Sequence, residues 1–109
     1  MKIALIIPDQ FENLDYLTKI LDGIDCDEII SGSSNGYKLL EKYLASSNRK
    51  IIISKAAKGN TPPQRTYNAI DDAEHVFVPT HAKGIKTKKA IEYAQKHQKP
   101  LTTYNVEIL

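Results

Sequence analysis

Four short apolar runs, separated by segments whose apolar residues recur at helical spacing, constrain the fold of this chain more than any other feature. Residues 2–8 (Lys-Ile-Ala-Leu-Ile-Ile-Pro) are apolar without alternation from Ile3 to Ile7. A strand of that kind is covered on both faces, as in a parallel sheet. Leu14, Leu17, Ile20, Leu21 and Ile24 then mark one face of a helix that starts near Glu12 or Asn13 and ends near Gly23. Residues 28–31 form a second strand, and Leu39, Leu40, Tyr43 and Leu44 place a second helix over about residues 36–46.

The same alternation continues. Residues 50–55 (Lys-Ile-Ile-Ile-Ser-Lys) read as a third strand, and Pro62 and Pro63 pre-set a third helix over residues 63–72 with Tyr67, Ile70 and Ala73 on its inner edge. Residues 74–79 form a fourth strand. A last helix carries Ala90, Ile91, Tyr93 and Ala94 and stops at Lys99-Pro100. Residues 101–104 are a fifth strand, which residues 106–109 extend or flank. No internal repeat or linker interrupts the series. The pattern predicts one α/β domain, a three-layer sandwich with a mainly parallel five-stranded sheet and helices on both faces.

The most informative stretch follows the second strand: Ile30-Ser31-Gly32-Ser33-Ser34-Asn35-Gly36. A small-residue turn between strand and helix presents backbone N–H groups at the positive end of the helix dipole and suits phosphate or carboxylate. Ser33, Ser34 and Asn35 add side-chain donors. The competing interpretation is a tight turn with Ser34 or Asn35 as N-cap. The run matches neither G-x-G-x-x-G nor the Walker A pattern, so it calls for no dinucleotide or other cofactor.

In a parallel sheet, ligands bind outside the carboxyl ends of the strands where the chain order reverses. Four segments are expected to meet there: Asp9, Gln10 and Phe11 after the first strand; Gly32 to Gly36; the stretch leading to Arg65, with Asn68 three residues on; and Thr80, Gly84 and Thr87. Arg65 supplies a forked contact for phosphate or carboxylate. Asp9 or Gln10 is placed to accept from or donate to a ligand there, and Phe11 either stacks on it or seals the first helix.

Composition narrows the classes. With 41% hydrophobic and 26% charged residues among 109, the chain is that of a globular protein. Its N-terminal apolar run is a strand, neither signal peptide nor membrane span, and no membrane partner is expected. Cys26 is the single cysteine, which excludes an internal disulfide and fits a cytoplasmic setting. His75, His81 and His97 lack metal-ligand spacing, so no metal site is expected. The net charge of +2 hides an asymmetry: residues 1–48 hold four Lys and eight acids (−4), residues 49–109 eleven Lys/Arg and five acids (+6). Lys83, Lys86, Lys88 and Lys89 lie close together and would attract an anionic partner.

These motifs resemble the SLOG superfamily, the Rossmann-like group that includes the YspA/YpsA-related proteins, the Lonely Guy phosphoribohydrolases and DNA-processing protein A. The strand followed by I-S-G-G-x-x-G resembles residues 30–36. The R-N segment before D-x-A-D and an apolar strand is similar to Arg65-Thr66 followed by Asp71-Asp72-Ala73-Glu74 and Val76-Phe77-Val78. The G-T-x-x-x-I helix start resembles Thr87 to Ile91, and G-K-P-V resembles Gln98-Lys99-Pro100-Leu101. The chain departs from the group where Ile7-Pro8-Asp9 replaces G-S-R, where Ser33 replaces the second glycine, and where Lys86 replaces the glycine before the threonine. Ala90 stands where the phosphoribohydrolase branch has its glutamate.

The resemblance implies a Rossmann-like fold, self-association, and a protein that binds a nucleotide or nucleotide-derived small molecule. Two other classes stay open. A nucleoside N-glycosidase needs a carboxylate at the sugar; Asp9 is the weak candidate, with Glu12 near it, while Asp71 and Asp72 fall at the far end of the sheet. Nucleic-acid binding is suggested by Lys83 to Lys89, Arg49 and Lys50, although no aromatic residues interleave with the lysines.

Overall fold

The computed structural model describes residues 1–7, 13–32, 34–55, 62–79 and 85–104, without the side chains of Ser34, Pro62, Pro63, Ile85 and Lys86. The chain forms an α/β sandwich in the order β1 (Lys2–Leu5), α1 (Leu14–Asp22), β2 (Glu28–Ser31), α2 (Ser34–Ala45), β3 (Ile52–Lys55), α3 (Pro62–Asp72), β4 (His75–Val78), α4 (Ile85–Lys96), β5 (Leu101–Thr103). The five strands make one parallel sheet in the order β3-β2-β1-β4-β5. This is Rossmann-like order, with the direction in which strands are added reversing between β1 and β4.

The side-chain period of two sorts β1 onto two cores. Ile3, Leu5 and Ile7 join Ile29 and Phe77 in a cluster closed by Leu17, Ile20 and Leu21 of α1 and Leu39, Leu40 and Tyr43 of α2. Ala4 and Ile6 join Ile30, Val76 and Val78 in a second cluster under Ala69 and Ile70 of α3, Ala73 just after it, and Ala90 and Ala94 of α4. That is why residues 3–7 show no apolar alternation: both faces are buried.

Boundaries differ from the sequence expectation where glycine and proline mislead. α2 begins at Ser34, two residues before Gly36, so Gly36 is a buried residue of the first helical turn. Ser34 and Asn35 are themselves helical and neither is the N-cap. α1 follows expectation: Asn13 caps it by accepting from the Tyr16 N–H at 3.0 Å, and Gly23 ends it. On α3 the buried edge is Ala69, Ile70 and Ala73, whereas Tyr67 lies on the flank facing α4. Residues 106–109, expected to extend the fifth strand or flank it, lie outside the described residues. No helix among those described is long and apolar enough to cross a membrane.

Candidate ligand site at the carboxyl edge of the sheet

Because every strand is parallel and each of β1 to β4 leads into a helix, the amino ends of α1 to α4 gather along one edge. The register aligns Leu5, Ser31 and Lys55 across that edge, with Phe77 level with Leu5 on the other side. Of the residues expected there, Gly32, Asn35, Gly36, Arg65, Asn68 and Thr87 are described. Asp9, Gln10, Phe11, Ser33, Thr80 and Gly84, and the side chain of Ser34, lie outside the described residues.

Gly32 sits immediately after β2, and its amide donates to Leu5 O at 3.4 Å, which commits it to the β1 ladder. What requires glycine here is proximity. A Cβ at this position would stand 3.3 Å from Ile6 Cδ1, 3.4 Å from Thr66 Oγ1 and 3.6 Å from Thr66 Cα. Gly32 therefore lets the first turns of α3 lie against the end of β2, rather than offering its own N–H to an anion. Asn35 and Gly36 follow in the first turn of α2, where backbone amides and the helix dipole favour negative charge.

Arg65 is exposed in the first turns of α3, and Asn68, one turn on, accepts from Gln64 Nε2 at 3.0 Å. Thr87 is in the first turn of α4 and is only 5% exposed. It continues the inner stripe of Ala90, Ile91 and Ala94, and its hydroxyl has no hydrogen-bond partner among the described residues.

One cation at this edge escaped the sequence reading. Lys55 ends β3 level with Ser31, and its Nζ lies 4.9 Å from the centroid of Tyr37 in the first turn of α2. The pair places a positive charge and an aromatic face beside the bend that follows β2. Its signal was a lysine closing an apolar run; only strand pairing brings it next to the serine- and glycine-bearing turn. Arg49, conversely, had been grouped with candidate nucleic-acid contacts. Its guanidinium donates to Leu21 O, to Ile24 O at 2.6 Å and to Tyr43 Oη at 3.1 Å, so it closes the end of α1 instead.

Cys26 is buried, and loss of hydration pushes its thiol above the ordinary range despite nearby Arg49. It is a packing residue and not a nucleophile. His75 Nε2 lies 2.8 Å from Thr102 Oγ1, and its ring stacks on Phe77 at 4.3 Å.

Fold and edge together define a Rossmann-like α/β domain with polar helix starts collected at a strand-order reversal. No family model, curated protein or solved structure matches the chain.

Proposed function

We propose that the protein is a cytoplasmic binding protein for a nucleotide or nucleotide-derived small molecule, held by its phosphate at the carboxyl edge of the sheet. The observation that carries this reading is Thr87: a buried hydroxyl without a partner among the described residues, in the first turn of α4, beside the reversal between β1 and β4. A phosphate oxygen there would accept from the hydroxyl and gain from the helix dipole. Arg65 adds a fixed positive charge and Lys55 a second, with the Tyr37 ring beside it for a base. The SLOG-like motifs point to the same ligand class, and they lead us to propose self-association as well.

Thermal-shift screening against nucleoside mono- and diphosphates, cyclic nucleotides and ADP-ribose tests the reading. A ligand bound only by the folded state at about 100 times its Kd adds about 2.7 kcal/mol of stability, a shift of several degrees in a domain of this size. Thr87→Val should reduce that affinity at least tenfold, and Arg65→Ala similarly. The absence of any shift at millimolar concentration throughout the panel would refute the proposal, and release of free base during incubation would convert the binding protein into an enzyme.

A further inference from the structure

We infer that the free edge of β3 is a docking site for an extended acidic segment of another protein, which adds to the sheet as a sixth strand. The sheet is unevenly covered. α3 packs over β1 and β2 on its own face, leaving the same face of β3 outside the second core. Ile52 lies there, 67% exposed, the most exposed large apolar side chain among the described residues. Its β-branched side chain stands open on an edge strand, where an added strand would cover it.

The backbone points the same way. Ile52 N–H donates to Asp27 O at 3.0 Å, so the polar groups of Ile52 face β2 and those of Ile53 face outward. No strand pairs with that outer side among the described residues. Strand addition supplies partners for such groups, while side-chain contacts choose among candidates.

Charge selects the occupant. Lys50 and Lys55 bracket the strand and are both exposed. A second copy pairing antiparallel through this edge would lay its lysine-bearing ends against these, the arrangement that edge lysines discourage. An extended segment with acids flanking a central β-branched residue matches both the charges and Ile52. The edge shares only Lys55 with the proposed nucleotide site, and the inference does not depend on that reading.

Amide hydrogen exchange by NMR tests it, with a synthetic peptide Glu-Asp-Val-Ile-Val-Asp-Glu at millimolar concentration and its Lys-for-acid counterpart as probes. In the free protein Ile53 N–H should exchange fast beside a protected Ile52 N–H. The acidic peptide should slow Ile53 at least tenfold and the basic one should not. Ile52→Ser, at a position too exposed to disturb folding, should weaken the acidic peptide at least tenfold with an unchanged circular-dichroism spectrum. Equal effects of the two peptides, an unmoved Ile53, stronger binding of oligo-dT at the same residues, or a wild-type dimer that Ile52→Ser dissociates would each overturn the inference.

Discussion

The two helix pairs of the sandwich are closed by one device made from different side chains. In the first half Tyr43 of α2 donates to Asp22 at the end of α1 at 2.8 Å, and six residues later Arg49 donates to the terminal carbonyls of Leu21 and Ile24. In the second half Tyr93 of α4 lies within hydrogen-bond distance of both Asp71 carboxylate oxygens at the end of α3, at 2.9 and 2.8 Å. Six residues later Lys99 donates to Asp71 O at 3.0 Å and Ala73 O at 2.9 Å. Tyrosine to aspartate, then cation to helix end, occurs twice at the same spacing. The chain that reads as free of repeats thus carries one, in hydrogen bonds rather than apolar pattern.

What differs is burial. Tyr43 is 1% exposed within a cluster of large side chains. Tyr93 lies at the rim of an alanine-rich cluster, its ring between Tyr67 at 4.3 Å and His97 at 4.2 Å. The same bonds are therefore withdrawn from water in one half and left near it in the other, and their removal should cost unequally. Arg49→Ala leaves two helix-end carbonyls and a buried phenol short of a donor, and we expect a loss of about 3 kcal/mol in urea unfolding. Lys99→Ala removes the matching contacts where water can replace the ammonium, and should cost about 1 kcal/mol. Equal losses would mean that burial is not what separates the halves.

The ends of α2 and α4 give a smaller contrast of opposite sign. Gln98 has φ of 55°, while Gln98 N–H donates to Gln95 O at 3.1 Å and Lys99 N–H to Ala94 O at 2.9 Å. This is a Schellman ending with a side chain where glycine is usual. Left-handed backbone costs a non-glycine residue about 1 kcal/mol, so Gln98→Gly should raise stability by roughly that amount. Ser47 holds the matching place past α2, donating to Leu44 O at 3.2 Å without a positive φ, and Ser47→Gly should bring no gain.

How far these features could be read from sequence depends on the range of the interaction that creates them. The central strands and the helices were legible because residues 3–7, 29–31 and 76–78 are buried, and because Leu17, Ile20, Leu21 and Ala90, Ala94 keep helical spacing. Helix starts were not: Gly36 reads as a turn but is buried inside α2, because the bend is made earlier, at Gly32, where Thr66 presses close. Gly32 and Thr87 were singled out locally, yet what each does depends on α3 and on the burial of α4. Lys55 gains a place at the edge and Arg49 loses its surface role for the same reason. A lysine ending a strand and an arginine following a helix look alike as surface cations, and only strand register and the packing of α1 against α2 tell them apart.

The finest distinction between the halves lies in their response to alkali. Loss of hydration at Tyr93, then its bond to Asp71 and the negative charge there, raise the phenol above its ordinary pKa of 10.0. A group whose pKa is higher folded than unfolded contributes its full stability below the unfolded value, because both states are then protonated and the native contacts are intact. Above pH 10 the unfolded chain releases this proton first, and the contribution drains away as pH rises through the folded pKa. Tyr93→Phe removes the titrating group while keeping the ring between Tyr67 and His97. The stability difference between wild type and Tyr93→Phe, taken from urea midpoints at pH 8 to 11, should therefore be flat up to about pH 10 and shrink beyond it. Other tyrosines titrate in both proteins and cancel in the difference. A gap that stays constant to pH 11 would show that the Tyr93–Asp71 bond does not hold the proton, and would leave ring stacking alone to close the second pair of helices.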